Sequence, residues 1–280
     1  MNTVTYFLQL LSCTLIKWLS AIPIPRLIRE PIYILFSKAL GISIDETLGQ
    51  LSDFKTMDAF FTRPIKPELR PISLSETSLI SPVDGTISQF SMFPTPEPLG
   101  VKGYPLDCEK LIPFPLNKRF TQGSACVVYL SPKDCHRVFS PINGRIISHC
   151  HIAGTHYPVR PPYPDRIPGL YIKNERVAIV IDSDYGLIAL VMVAALNVGN
   201  ISLEYFPEFR SDIKRSKSWG SCTKTVSYHT LTDKVFVSKG ERLGTFHLGS
   251  TVILLTEKKV SFNKASIGKP INYGQRIADF

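Results

Sequence analysis

No two cysteines in this 280-residue chain are spaced Cys-x-x-Cys. The six, Cys13, Cys108, Cys126, Cys135, Cys150 and Cys222, are scattered, several of them inside apolar runs. That spacing offers no zinc site, so no metal is expected. A chain of this size does not need disulfides to hold a core, so a reducing compartment is expected. No clean apolar run reaches the roughly 20 residues of a spanning helix. The nearest, residues 4–22, carries Gln9 and Lys17 and is stopped by Pro23 and Pro25. No basic region precedes it, which argues against a secretory signal. Fixed-period repeats, low-complexity tracts and recognised nucleic-acid-binding motifs are also missing, so nucleic acid is not the expected partner.

What is present is a globular composition, 44% hydrophobic and 20% charged, with 17 Gly and 22 Pro. Thirty-two Lys and Arg against 23 Asp and Glu leave a net charge of +9. Such a balance favours an anionic partner. The mean hydropathy of +0.08 tilts that partner towards a membrane surface. Val4, Phe7, Leu8, Leu11, Leu15, Trp18, Leu19 and Ile22 form one stripe at helical spacing. The expectation is an amphipathic helix lying in the interface, with Lys17 and Trp18 near the headgroups. A second apolar segment, Ile32 to Leu40, follows Arg26, Arg29 and Pro31. Residues 1–45 are therefore read as membrane-associating helices, with Arg26, Arg29 and Lys38 facing anionic headgroups, and residues 46–280 as the main domain.

Phe54, Met57, Phe60 and Phe61 fall at helical spacing in a short segment ending at Arg63, and Pro64, Pro67 and Pro71 then force an extended path. From about residue 79 the pattern is β. Strands are expected at 86–92, 125–131, 144–150, 176–182, 187–196 and 251–256. Ser81-Pro-Val-Asp-Gly-Thr-Ile87 and Ser140-Pro-Ile-Asn-Gly-Arg-Ile146 repeat one turn signal, of the kind found in hammerhead barrels. The fold class read here is α+β: a mostly antiparallel, hammerhead-barrel-like β body with an α-helical N-terminal region.

Four places carry reactive side chains. His136, just after an apolar strand and beside Asp134, suits acid–base work or simple capping. His149, His151 and His156 cluster, and His-x-His on a strand puts two rings on one face, but no carboxylate or cysteine pattern completes a metal site. Asp84 sits in a Pro-x-Asp-Gly turn, where an aspartate ordinarily bonds its own backbone. Ser250 follows Gly249 and leads into the apolar run Val252–Leu255.

Taken together, four ordered segments resemble the phosphatidylserine decarboxylases, in particular their bacterial membrane-associated branch, over nearly the whole chain. They are Phe60-Phe-Thr-Arg-Pro-Ile-Lys-Pro-Glu-Leu-Arg-Pro-Ile72, Pro82-Val-Asp-Gly-Thr-Ile-Ser-Gln89, Tyr129-Leu-Ser-Pro-Lys-Asp-Cys-His-Arg137 and Leu248-Gly-Ser-Thr-Val252. Asn174-Glu-Arg176 and Val193–Gly199 match in place.

The resemblance implies a proenzyme that cuts itself between Gly249 and Ser250. Ser250 Oγ would attack the Gly249 carbonyl, and elimination and hydrolysis would leave a pyruvoyl group, the self-derived cofactor, where Ser250 stood. The products would be a large chain, 1–249, and a small chain, 250–280, paired as a heterodimer, with further self-association left open. The pyruvoyl group would decarboxylate phosphatidylserine of an anionic membrane to phosphatidylethanolamine through a Schiff base, as an electron sink. It would act peripherally, on the cytoplasmic side of the cell membrane. Asp84 matches the family aspartate that helps activate the serine, and His136 a family histidine near the pyruvoyl. The family's second histidine, three residues on, is here Phe139, and Cys135 replaces a tyrosine. Phe139 cannot accept a proton. Either His136 or another histidine, such as His149 or His151, is then the base, or maturation is impaired. The alternative reading is an unprocessed, non-catalytic relative that binds anionic lipid.

Overall fold

A computed structural model describes residues 15–93, 107–113, 116–196, 200–211, 226–247, 250–263 and 266–280. Residues 1–14 of the expected first helix, together with Leu248 and Gly249, lie outside the described residues.

Residues 15–20 are helical. Helix α1 (Arg26–Leu40) follows, and Gly41 closes it in the left-handed conformation at φ 72°. The second apolar segment thus starts earlier than its composition suggests, and Pro31 lies inside the helix. Pro31 removes one amide donor near the beginning of the helix, where Leu27 is 95% exposed and its turn stays open to water. Helix α2 (Met57–Phe61) is capped by Thr56, whose Oγ1 accepts from the Ala59 amide at 3.1 Å. Tyr33 of α1 stacks on Phe60 of α2 at 4.4 Å, and its hydroxyl donates to the Phe54 carbonyl at 2.7 Å. Together with Ile42 and Phe36 they make a small separate core.

The strands are β1 (Ser78–Ile80), β2 (Gly85–Met92), β3 (Ser124–Leu130), β4 (Arg137–Phe139), β5 (Gly144–Ile152), β6 (Arg176–Ser183) and β7 (Gly186–Ala194), followed by β8 (Ile201–Leu203), β9 (Val226–Val237), β10 (Arg242–Phe246), β11 (Ser250–Thr256), β12 (Ser261–Phe262), β13 (Pro270–Ile271) and β14 (Arg276–Asp279). Eight form one antiparallel sheet in the order β13-β2-β3-β11-β7-β6-β5-β9. Two three-stranded sheets, β1-β14-β12 and β4-β10-β8, complete the body. The fold is α+β and mostly antiparallel, as the sequence reads. The large sheet is open, with β13 and β9 at its edges, so no barrel closes among the described residues.

Both faces of the large sheet are buried, which explains why its middle strands are continuous apolar runs rather than alternating ones. Val252, Leu254, Met192 and Val128 face one core with Val138, Leu243 and Phe246 of the small sheet. Ile253, Leu255, Val191 and Val127 face the other, with Leu111, Phe120 and Leu170.

The repeated turn signal is one device used twice. Ser81 Oγ donates to the Val83 carbonyl and Ser140 Oγ to the Ile142 carbonyl, both at 2.7 Å. Each turn delivers a glycine into a strand where no Cβ fits. A Cβ on Gly85 would collide with the Tyr129 carbonyl oxygen, and one on Gly144 would stand 2.6 Å from that of Asp182. The turns also bond each other's flanks, Phe139 N–H to Pro82 O at 2.9 Å and Ile80 N–H to Pro141 O at 3.1 Å.

Candidate active site

Ser250 is the first residue of β11, at the centre of the large sheet, in register with Leu130 on one side and Ala194 on the other. It is 1% exposed, and its Oγ is buried without a hydrogen-bond partner among the described residues. A buried hydroxyl left unbonded costs roughly 1–3 kcal/mol, so such a group points to a reactive or ligand-facing role. Ser250 lines a cavity of about 320 Å³ between the ends of the strands and the N-terminal helices. Ile16, Phe36, Leu40, Phe61 and Val159 give it apolar walls, and Arg160 is the charged residue in its lining.

The wall at Val159 and Arg160 is set by the Asn174-Glu-Arg176 segment. Asn174 accepts from the Tyr157 amide at 2.9 Å and donates to the Tyr157 and Ala194 carbonyls at 2.9 and 2.8 Å. Glu175 accepts from His151 at 2.8 Å and His156 at 2.7 Å. Burial pushes the Glu175 carboxyl up, but the two imidazoles more than reverse it and hold it down at about 2. Arg176 is fully buried and donates to four carbonyls, of Lys110, Leu111, Ile172 and Asn174. Spacing alone gave His151 and His156 no carboxylate, because Glu175 reaches them only through the pairing of β5 with β6 and the Thr155–Asn174 bridge beyond it.

His136 is completely buried, and its ring packs on Phe61 at 4.1 Å. Its Nδ1 donates to the Asp134 carbonyl at 2.9 Å, which leaves the lone pair on Nε2, buried and unpartnered among the described residues. Burial drives the imidazole down to about 3, so it is neutral. Helix α2 is fixed beside it by Arg63, which donates to the Lys133 carbonyl at 3.0 Å, and by Arg137, which donates to the Thr62 carbonyl at 2.9 Å.

Asp84 is buried but engaged. Arg70 clamps its carboxylate at 2.8 to 3.1 Å, and the Tyr273 amide donates to it at 2.8 Å. Burial raises the Asp84 carboxyl, with Arg70 and the Tyr273 amide working against it. Phe139 stacks at 3.9 Å on the ring of Tyr273, the residue whose amide bonds Asp84. Cys135 lies in the same small cluster, and burial pushes its thiol up to about 12. Phe61 thus links Ser250's cavity to His136, while neither His136 nor Asp84 is among the cavity's lining residues.

His149 is buried among Tyr205, Phe206, Phe209 and His229. Two histidines escaped the sequence reading, His247 and, beside His149, His229. His247 bonds both Asp58 oxygens through Nδ1, at 3.0 and 2.9 Å. Its signal was its place three residues before Ser250.

The body is an antiparallel α+β fold in which a buried serine lines an apolar cavity. A group derived from Ser250 would fit here, because Ser250 lines the cavity and its Oγ has no partner among the described residues. The phosphatidylserine decarboxylase family model matches residues 57–279, and the chain belongs to that family. It is 32% identical over 249 residues to a phosphatidylserine decarboxylase proenzyme of Variovorax paradoxus strain S110, covering 87% of this chain and 84% of the relative. Identity to the proenzyme of Legionella pneumophila strain Lens is 34% over 251 residues, with the same coverage of 87% and 84%. For that of Idiomarina loihiensis it is 35% over 214 residues, covering 75% and 71%.

Proposed function

We propose that the chain cuts itself between Gly249 and Ser250, carries the resulting pyruvoyl group at residue 250, and decarboxylates phosphatidylserine to phosphatidylethanolamine on the cytoplasmic face of the cell membrane. The observation that carries this reading is Ser250 itself: buried, unbonded at Oγ, and facing an apolar cavity. Formed at residue 250, the pyruvoyl group would supply an electrophilic carbonyl for the substrate amine and hence an electron sink.

The chain's own residues do the rest. Arg160 holds an anionic part of the headgroup at the cavity, and Phe36, Leu40 and Phe61 exclude water from it. His136 Nε2 is the proton-handling group, kept neutral by its burial. Helix α1 and the helical residues before it bring the cavity to the bilayer, so the acyl chains need not leave it.

Intact mass under denaturing conditions tests the reading. Two species are expected, the smaller being residues 250–280 with pyruvoyl in place of serine, and Ser250→Ala should give one uncut chain. A single full-length wild-type mass would favour the other reading, an unprocessed lipid-binding relative, for which Phe139 stacked on Tyr273 is the motivating observation.

A further inference from the structure

Ser250 can attack its own chain only if a base removes its proton, and a histidine base works best when a carboxylate fixes its tautomer. The Asp84 carboxylate is taken by Arg70 and the Tyr273 amide, and His136 bonds a backbone carbonyl. Among the described residues the histidines that bond a carboxylate are His151 and His156, which share Glu175, and His247, which meets Asp58. We propose that His247, fixed by Asp58, is the base that takes the Ser250 proton during self-cleavage. This assignment rests on the self-cleavage reading above.

Three observations select His247. It lies three residues before Ser250, which limits their Cα separation to about 11 Å. Helix α2 presents Asp58 and Phe61 on one face, three residues apart, so the helix that holds His247 also lines Ser250's cavity. The segment leading to Ser250 runs beside His136, with Phe246 N–H bonding the His136 carbonyl at 2.9 Å and His247 N–H that of Asn200 at 3.0 Å.

The hydrogen bonds also set the tautomer. An Arg210 guanidinium nitrogen stands 3.1 Å from Nε2 and 3.5 Å from Nδ1, but Nδ1 also meets both oxygens of the Asp58 carboxylate, which only accepts. Nδ1 therefore carries the hydrogen that goes to Asp58. That is the state a general base needs. Ser202 Oγ, also 3.1 Å from Nε2, is a resting partner that Nε2 exchanges for Ser250. In the step itself, Nε2 takes the Oγ proton as Oγ bonds the Gly249 carbonyl carbon. The Gly249–Ser250 carbon–nitrogen bond then breaks, and the proton passes to the freed Ser250 nitrogen, leaving an ester.

The test is a cell-free synthesis time course of the full chain, with the cut fraction read by intact mass, for wild type, H247A, D58N and H247A/F139H. H247A is expected to mature at least about 100-fold more slowly. D58N should be slowed less, added imidazole should speed H247A, and F139H should restore part of the rate by placing an imidazole against Tyr273, whose amide bonds Asp84. H247A maturing at the wild-type rate overturns the assignment and leaves self-cleavage standing. A slow H247A that neither imidazole nor F139H speeds marks a structural tether and also overturns it. A wild-type chain that stays whole overturns the self-cleavage reading and this assignment with it.

Discussion

His149 has nowhere to put its nitrogens. Both are buried without a hydrogen-bond partner among the described residues, and its neighbours are Tyr205, Phe206, Phe209 and His229. Burial, with the nearby His229, lowers the imidazole to about 4. The unfolded chain binds this proton below about pH 6.5, the folded chain only near 4, so stability is lost as pH falls between those values. His136 acts in the same direction, down to about 3. His149→Phe removes one such group and lets an aromatic ring fill an aromatic site. Urea unfolding should therefore give a variant as stable as wild type or more so at pH 7. Its loss of stability between pH 7 and pH 5 should be smaller by about 2 kcal/mol, at roughly 1.4 kcal/mol per pH unit over the titrating range. An equal loss in both proteins would mean that His149 takes up its proton as readily in the folded chain as in the unfolded one.

At the scale of elements, the last 31 residues are woven into the body rather than appended to it. β11 pairs with β3 and β7 over seven residues on each side, β13 pairs with β2, and β14 with β1. Val252, Ile253, Leu254 and Leu255 are each buried, at roughly 1.5–3 kcal/mol apiece. A cut at Gly249 should thus leave the small chain bound. Size exclusion in mild detergent is expected to show both chains in one peak, separating only in denaturant. A free small chain without denaturant would contradict the pairing. The same burial made β11 legible: a four-residue apolar run after a Gly-Ser turn reads as a core strand, as do β2, β3, β5, β6 and β7 between their turn signals. β4, β8 and β12–β14 were not legible, because two to four residues carry no periodicity and their partners are far along the chain. The long edge strand β9 mixes polar and apolar residues and was missed for the same lack of pattern. The site divides in the same way. Ser250, Asp84 and His136 could be named from local motifs, but that Arg70 rather than an imidazole occupies Asp84 needed three dimensions. His247 stood in plain view three residues before Ser250, and its partner Asp58 is 189 residues away.

At the scale of the molecule, large exposed apolar side chains gather at one end of the chain. Leu15, Trp18, Leu19, Ile22, Leu27, Ile28, Ile34, Leu35 and Leu40 all lie within residues 15–40. No helix among the described residues is long and apolar enough to cross a membrane. Leu27, Ile34, Leu35 and Lys38 recur at helical spacing on α1, and Leu27 and Leu35 are 95% and 71% exposed. The inward side of the same helix supplies Tyr33 to the small core and Phe36 and Leu40 to Ser250's cavity. One helix thus offers an apolar outer face and a wall of the site, so insertion of the outer face would bring the cavity to the lipid headgroups. Arg29, expected with Arg26 and Lys38 among the headgroup contacts, donates to the Ile24 and Ser52 carbonyls at 2.8 and 2.6 Å, while Arg26 and Lys38 are exposed. Anionic lipid adds about 1 kcal/mol per basic residue near the surface, and salt screens it beyond a Debye length of about 8 Å. Leu27→Asp with Leu35→Asp removes two insertion anchors and adds two charges that an anionic surface repels. The full-length double variant should float with phosphatidylserine vesicles at least about tenfold more weakly than wild type, since a buried leucine is worth roughly 1.5–3 kcal/mol. Turnover of vesicle substrate should fall in step, while turnover of short-chain phosphatidylserine dispersed in detergent should hold, because neither leucine lines the cavity. Unchanged flotation would show that the apolar face of α1 meets something other than lipid. Equal loss on both substrates would show that α1 shapes the site rather than docking it.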